Sequence, residues 1–88
     1  MAWVVYMLRL NDNTYYTGIT NSLSKRLNAH ETGCGSKYVK GRLPLHLVYV
    51  ESAKDRSIAS KREAAIKKLN RKCKIALIDS NLNEHTND

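Results

Sequence analysis

Two tyrosines near the start of the sequence have a spacing at which their hydroxyl groups could act together. Tyr6 and Tyr16 stand in two apolar runs on either side of an Asn-Asp-Asn turn signal, so a β-hairpin would bring both rings to one face. Gly18 falls on the same face of the second strand as Tyr16 and leaves a gap in which a side chain or a ligand can approach the backbone. We therefore expect two converging hydroxyls beside an open stretch of β-strand.

An arginine and a histidine follow on the next predicted element. Arg26 and His30 are four residues apart, so on a helix their side chains lie along one side. Leu23 and Leu27 occupy the neighbouring apolar stripe of that helix. The pair is therefore expected at the border between helix and sheet, where it need not be fully solvated.

A single acidic residue, Glu63, completes the set of candidate groups. Ala59 lies four residues before it and Ile66 three residues after it, so on a helix the carboxylate falls on or beside the buried stripe. The segment is otherwise basic, and helix geometry alone favours a surface salt bridge for this acid. The surrounding cations are Lys61, Arg62, Lys67 and Lys68.

These residues fall on a simple succession of predicted elements, β-β-α-β-α-α. Apolar and β-branched runs predict the strands, and Asp55 and Asn70 are good N-caps for the last two helices. The glycine-punctuated basic segment 33–44 is predicted to be a long, partly ordered loop. Three strands with helices packed on them make a mixed α/β or α+β sandwich. We expect one domain over residues 1–79 and a polar, flexible tail over residues 80–88. The predicted strands cover residues 3–10, 14–20 and 45–50. The first predicted helix begins after Asn21 or Ser22, the second covers residues 56–69, and the third begins after Asn70 and ends at residue 78.

Composition limits the class of protein. The chain has 88 residues, which allows one small domain and excludes a large multi-domain protein. No apolar run approaches the roughly 20 residues of a membrane span, and no secretory signal is visible, so we expect an intracellular, cytoplasmic protein without a membrane partner. The 15 Lys+Arg against 8 Asp+Glu give a formal net charge of +7, which makes nucleic acid the leading class of partner.

The small number of cysteines is compatible with an intracellular protein. Cys34 and Cys73 are too few for a disulfide framework and are interpreted as free thiols. The competing interpretation is a zinc site that adds His30 and His46, which would require four ligands to converge from distant segments.

The order and spacing of the candidate residues resemble the GIY-YIG nuclease domain, above all its small stand-alone members. The shared features are Val4-Val5-Tyr6, the ten residues from Tyr6 to Tyr16, Tyr16-Thr17-Gly18, and then Arg26, His30 and Glu63 in order. The resemblance covers roughly residues 3–78. It implies an α+β fold with a small three-stranded antiparallel sheet flanked by helices, and cleavage of a DNA phosphodiester bond with one divalent metal ion.

The resemblance also implies a role for each residue. Glu63 matches the metal-binding glutamate, and one carboxylate with waters and phosphate suits Mg²⁺, with Mn²⁺ as an alternative. Arg26 matches an arginine whose planar fork suits a phosphate that gains charge in the transition state. Tyr6 matches the tyrosine that relays or accepts the proton of the attacking water, although a phenol of pKa near 10 needs a cation to favour its phenolate. Tyr16 positions water or phosphate, and His30 either assists proton transfer or packs against the sheet.

The sequence departs from the family pattern at two positions. Ile19 follows the glycine of the second motif, where some larger relatives carry a lysine, so that cation is absent or supplied elsewhere. Asn70 lies closer to Glu63 than the asparagine of several relatives does, and we interpret it as a helix cap.

The basic residues outside this set suit phosphate groups better than base edges. We expect them to bind single-stranded, branched or duplex DNA with little sequence preference. Tyr38 lies between two lysines and either stacks on an unpaired base or pins its loop to the core. The predicted DNA-binding residues are Lys37, Tyr38, Lys40, Arg42, Lys67, Lys68 and Arg71.

The favoured hypothesis is a metal-dependent DNA endonuclease of low sequence specificity, selective for structure or single strands, that acts in repair or processing. In a bacterium it would be associated with the nucleoid. The alternative is a non-catalytic nucleic-acid-binding or accessory module that retains the fold. A larger protein partner could supply specificity in either case.

Overall fold

The protein is built on a three-stranded antiparallel sheet with helices on both faces, which confirms the predicted α+β class. The computed structural model describes residues 2–85. Its strands are β1 (Trp3–Arg9), β2 (Tyr15–Thr20) and β3 (His46–Ala53), and its helices are α1 (Leu23–Glu31), α2 (Lys37–Lys40), α3 (Arg56–Lys67) and α4 (Arg71–Ile78). The strand order is β2-β1-β3, so the first strand is central and β2 is an edge strand.

The central strand is apolar because both of its faces are covered. Val5 and Met7 pack on one face in a cluster that includes buried residues of α3. Tyr6 and Leu8 belong to a second cluster, which includes Val39 of α2 and apolar residues of α1. Successive side chains of a strand point to opposite faces, so this continuous apolar run serves two cores at once.

The hairpin turn is held by its own side chains and sets the register of the two tyrosines. The Asp12 carboxylate accepts hydrogen bonds from the backbone N–H and the hydroxyl of Thr14, at 3.2 and 2.6 Å. The register places Tyr6 opposite Gly18, and Tyr16 lies two residues before Gly18 on β2. Both tyrosines therefore lie on the same face of the sheet, as predicted.

Short polar side chains start two of the long helices, as predicted, but not the third. Asp55 and Asn70 each accept a hydrogen bond from the backbone N–H three residues later, at the starts of α3 and α4. Ser22 occupies the N-cap position of α1, but its side chain makes no capping hydrogen bond. Its backbone N–H donates to the Thr20 hydroxyl at 3.0 Å, so the helix begins after Ser22 as predicted but without a side-chain cap.

The segment 33–44 is not a long loop, because it contains the short helix α2. Ser36 starts this helix by accepting a hydrogen bond from the Tyr38 N–H. Val39, a residue of the helix, is fully buried. Four residues are too few to show helical periodicity, which is why the sequence does not predict this helix. The element order is therefore β-β-α-α-β-α-α.

The chain beyond α4 is docked on the outer edge of β3. The Asn83 side chain donates to the Val48 carbonyl at 2.9 Å, and the Glu84 N–H donates to the Val50 carbonyl at 2.7 Å. The Glu84 carboxylate accepts the Ser52 N–H at 2.7 Å. Polar side chains thus hold this segment on the sheet, where the sequence predicts a flexible tail from residue 80. Residues 86–88 of that predicted tail lie outside the described residues.

The helices are short, and the two cysteines lie on the surface. The longest helix among residues 2–85 is α3, with 12 residues. In this part of the chain no helix has both the length and the apolar character needed to cross a membrane.

Cys34 and Cys73 are exposed free thiols, and the described residues contain no cluster that matches the zinc alternative.

Candidate active site

Tyr6 reaches the margin of the sheet by crossing over Gly18. A Cβ atom on Gly18 would lie 2.5 Å from the Tyr6 hydroxyl oxygen and 2.7 Å from its Cζ, distances that require something to shift. Because Gly18 has no side chain, the phenol ring can extend from the central strand across the edge strand. The gap predicted beside Gly18 is therefore occupied by Tyr6.

A pocket of about 340 Å³ opens at this margin and gathers four of the five predicted catalytic residues. Tyr6 and Tyr16 come from the hairpin, with ring centroids 6.4 Å apart, while Arg26 comes from α1 and Glu63 from α3. The two helices cover opposite faces of the sheet, so they bring their side chains together only at its edge. Two phenols, a guanidinium and a carboxylate thus face one cavity.

His30, the fifth residue, lies behind Tyr6 and does not line the pocket. It is fully buried, and its Nε2 is 2.8 Å from the Tyr6 hydroxyl oxygen. The Ser36 N–H donates to Nδ1 at 3.4 Å, so we assign the proton of the neutral ring to Nε2, which donates to Tyr6. A Cβ on Gly35 would lie 2.5 Å from Nδ1, so the chain can pass the ring only as glycine. We infer that His30 positions Tyr6 and does not touch a substrate.

Burial and Arg26 together set the protonation states of Tyr6 and His30. Burial raises the pKa of Tyr6 above its ordinary value of 10.0, and hydrogen bonding and charge from Arg26 oppose that rise. Burial lowers the pKa of His30 below 6.5, and the charge of Arg26 lowers it further. At neutral pH Tyr6 is therefore a phenol and His30 a neutral imidazole.

Glu63 pairs with Lys67 and also lines the pocket. Its Oε2 is 3.2 Å from the Lys67 Nζ one turn later, and its side chain is 21% exposed. The salt bridge expected from helix geometry and the position in the candidate site therefore coexist. Within residues 2–85 no group of three or more His, Cys, Asp or Glu could hold a metal ion. Mg²⁺ nevertheless binds through one or two carboxylates, waters and substrate phosphates, so this donor set fits it.

The motif spacing does not reveal two further residues that line the pocket, Arg56 and Trp3. The Arg56 guanidinium lies over the Trp3 ring, 5.7 Å from its centroid. Arg56 precedes Glu63 by seven residues, which puts both on one face of α3 and is the signal through which it could have been found. The pocket thus contains a second cation beside Arg26, and Ile19 also lines it.

Tyr38 of helix α2 lies next to Tyr16, which lines the pocket. The Tyr38 ring is stacked near that of Tyr16, with centroids 6.4 Å apart and planes at 25°. The guanidinium of Arg42 lies 3.8 Å from the Tyr38 centroid, donates to the Tyr38 carbonyl and is paired with Asp12 at 2.9 Å. This arrangement favours the pinning role of Tyr38 over base stacking and leaves Arg42 engaged within the protein.

The remaining predicted DNA-binding residues divide into engaged and free cations. Arg71 donates to the Asn13 carbonyl and lies 5.1 Å from the Tyr15 ring centroid, so it ties α4 to the hairpin. Lys67 is held by Glu63. The cations of this set that are exposed and have no carboxylate partner in the described part of the chain are Lys37, Lys40 and Lys68.

Replacing Gly18 with alanine is expected to destabilise the protein and to displace Tyr6. The new methyl group would overlap the phenol ring, and overpacking a core costs about 1–3 kcal/mol. For a domain of this size each kcal/mol lowers the melting temperature by about 4–8 °C, which thermal unfolding would detect. The control is Gly41→Ala, because a Cβ there meets its nearest atom at 3.9 Å. Equal losses in both variants would contradict the crossing of Tyr6 over Gly18.

Acid is expected to destabilise the protein through His30. The folded protein holds the His30 proton more weakly than the unfolded chain does. Its contribution to stability is therefore complete above a pH of about 6.5 and is lost as the pH falls below that value. Urea unfolding should show a falling midpoint over this range in the wild type and in the exposed-site control His46→Gln. A decline just as steep in His30→Gln would show that another group titrates.

Comparison with known proteins defines the class to which this fold and site belong. Residues 2–76 match the family model of the GIY-YIG catalytic domain. The chain therefore belongs to the GIY-YIG family, a family of endonuclease-type hydrolases whose substrate is nucleic acid. This confirms the resemblance drawn from the spacing of the candidate residues.

Within that family the chain is similar to UPF0213 proteins. One from Clostridium perfringens is 50% identical over 76 residues, which cover 86% of this chain and 82% of the relative. One from Streptococcus agalactiae serotype V is 40% identical over 80 residues, 91% of each protein. The solution NMR structure of a UPF0213 protein from Bacillus halodurans has a TM-score of 0.60 and 33% identity, over 93% of this chain and 87% of that one. That of a protein from E. faecalis has a TM-score of 0.65 and 36% identity, over 100% and 95%.

Proposed function

We propose that this protein is a divalent-metal-dependent endonuclease that hydrolyses phosphodiester bonds of DNA with low sequence specificity, in DNA repair or processing. The observation that carries the proposal is the convergence of Tyr6, Tyr16, Arg26 and Glu63 on one pocket. A module that only binds nucleic acid gains nothing from a carboxylate in this position, because the carboxylate repels phosphate. Membership of a nuclease family supports the same class of reaction.

Arg26 is the group suited to bind the phosphate that is attacked. Hydrolysis of a phosphodiester needs donors that stabilise the charge developing on the phosphate oxygens. The guanidinium of Arg26 lines the pocket, and the neighbouring hydroxyls of Tyr6 and Tyr16 raise its pKa. Its planar fork can donate to two oxygens at once, which a lysine cannot do.

Tyr6 would accept or relay the proton of the attacking water. Its oxygen receives a hydrogen bond from His30 Nε2, and Arg26 lies beside it. Both neighbours favour the negatively charged phenolate over the phenol, which offsets part of the cost of burial. Because His30 donates to Tyr6, the Tyr6 O–H proton is not used in that contact. Tyr16, half-buried next to it, is placed to position the water or the phosphate.

Glu63 is the residue that would hold Mg²⁺ or Mn²⁺, together with waters and the substrate phosphate. A divalent ion bound there would supply charge neutralisation and Lewis-acid polarisation of the phosphate. Lys67 keeps the carboxylate paired within α3. The acid is therefore only partly exposed and is held at the pocket by its own helix.

Low sequence specificity is proposed because the free cations suit phosphates, and selection would then depend on the shape of the DNA, including single strands. Lys37, Lys40 and Lys68 are exposed and can contact any DNA backbone. Binding through such groups falls steeply with salt and discriminates poorly between sequences. A larger protein partner would then direct the enzyme to a particular DNA structure in the cytoplasm.

A cleavage assay on labelled DNA tests the proposal. Purified protein would be incubated with single-stranded, duplex and branched DNA in Mg²⁺, Mn²⁺ or EDTA. We expect cutting with either metal, none in EDTA, and differences between DNA structures larger than those between sequences. Binding without cleavage under every condition would support a non-catalytic or accessory module instead. Cutting confined to one short duplex sequence would contradict low sequence specificity.

A further inference from the structure

A second concave surface lies on the outer face of α3 and shares Arg56 with the pocket. This surface, the α3 groove, is a shallow, open depression of about 660 Å³ lined by Arg56, Ser57, Ser60, Lys61 and Ala64. Because Arg56 lines both cavities, the groove continues directly from the candidate active site. None of the residues that define it belongs to the predicted DNA-binding set.

The helical repeat explains the shape of the groove. Ser57, Ser60 and Ala64 recur at intervals of three and four residues, so their small side chains form one low stripe along the helix. Arg56 and Lys61 stand on either side of this stripe and form its walls. The rise of about 1.5 Å per residue separates their backbones by roughly 7.5 Å along the axis, on the order of the step between successive phosphates in an extended strand.

The polar groups of the groove are free to bind a ligand. Among residues 2–85, neither Arg56 nor Lys61 is paired with a carboxylate. In the same part of the chain, no hydrogen bond engages the hydroxyl of Ser57 or Ser60. Of the two acids near the groove, Asp55 accepts the N–H of Ile58, and Glu63 is paired with Lys67. Two cations without a carboxylate partner and two hydroxyls without a hydrogen-bond partner match the chemistry of a phosphodiester backbone.

We infer that the DNA strand being cut leaves the pocket across Arg56 and lies along the α3 groove. This inference rests on the proposed nuclease function and adds a path for the substrate. Arg56 binds the phosphate next to the one under attack, and Lys61 binds the phosphate beyond it, with Ser57 and Ser60 as additional donors. Lys68 follows Lys61 by seven residues and extends the same face. The groove thus defines one path for the strand on the surface of the enzyme.

Equilibrium binding of a fluorescent single-stranded oligonucleotide in EDTA tests the path without relying on cleavage. The variant is Lys61→Ala, and the control is Lys72→Ala, which removes the same charge from an exposed position on α4 outside the groove. Loss of one phosphate contact should weaken binding several-fold and reduce the slope of log Kd against log salt by about 0.7. Lys72→Ala should change neither quantity beyond a small effect of net charge.

A second pair of variants tests the floor of the groove. Ser60→Asp places a negative charge where the strand would lie, whereas Ser24→Asp places the same charge on an exposed position of α1. We expect only Ser60→Asp to weaken binding strongly. Equal effects within both pairs would overturn the groove even if the protein cuts DNA. Groove-dependent binding without any cleavage would instead overturn the nuclease proposal and leave the binding path standing.

Discussion

Glu63→Gln should abolish metal-dependent cleavage, with a loss of at least roughly a hundredfold, the scale on which single groups that stabilise a transition state act. The amide keeps the shape of the side chain but removes the charge that holds a divalent ion in the pocket. DNA binding in EDTA should be unchanged or slightly tighter, because the acid no longer repels phosphate. Separate measurements of initial cleavage rate and of DNA affinity would distinguish these effects.

The control for this substitution is Glu31→Gln, an exposed acid at the end of α1 that does not line the active-site pocket. It should cut at the rate of the unmodified protein. Titration with Mn²⁺ adds a second readout, because a weakened metal site needs more metal for the same rate. Cleavage by Glu63→Gln at the wild-type rate and at the same metal concentration would show that the metal is bound elsewhere.

Tyr6→Phe should lower the cleavage rate by roughly a hundredfold or more, within the range of general acid–base catalysis. Burial raises the pKa of Tyr6, so its phenolate is scarce at neutral pH and increases about tenfold per pH unit below that pKa. The rate of the unmodified protein should therefore rise with pH through the neutral and alkaline range. Without the hydroxyl, Tyr6→Phe should lose this rise, and pH–rate profiles at saturating DNA would measure it.

Tyr15→Phe is the matched control, because Tyr15 lies on β2, is half-buried on the other face of the sheet from Tyr6, and has the Arg71 guanidinium over its ring. It should keep both the rate and the pH dependence. Tyr6→Phe also leaves the buried His30 Nε2–H without its partner, at a cost of about 1–3 kcal/mol, so stability must be measured beside activity. An unchanged pH profile in Tyr6→Phe would assign the proton transfer to another group.

The parts of the site that follow local rules could be predicted from the sequence. Alternation along the strands placed Tyr6 and Tyr16 on one face, and the spacing to Ala59 and Ile66 placed Glu63 beside the buried stripe of α3. These positions depend only on the repeat of each element. The turn signal between the first two strands then limits how the hairpin can close.

The parts that depend on how elements meet could not be predicted in this way. His30 is fully buried behind Tyr6 because Gly35 lets the chain after α1 close over it, and no local pattern specifies that contact. Arg56 enters the pocket through the packing of α3 on the sheet, which the spacing of the motifs does not specify. Asn83 and Glu84 belong to a segment that is polar except for Leu82, and polar residues that cover an edge strand cannot be told by composition from polar residues in solvent.

The docking of Asn83 and Glu84 makes the two margins of the sheet unequal in their capacity to pair with another chain. An edge strand normally offers its backbone groups as a template for a strand from a second molecule, which leads to association or aggregation. At β3 the carbonyls of Val48 and Val50 are already engaged by the same polypeptide. Growth of the sheet from that side would first require the release of this segment. Among residues 2–85, no backbone hydrogen bond from outside the sheet engages the other margin, at β2, where the candidate active site opens.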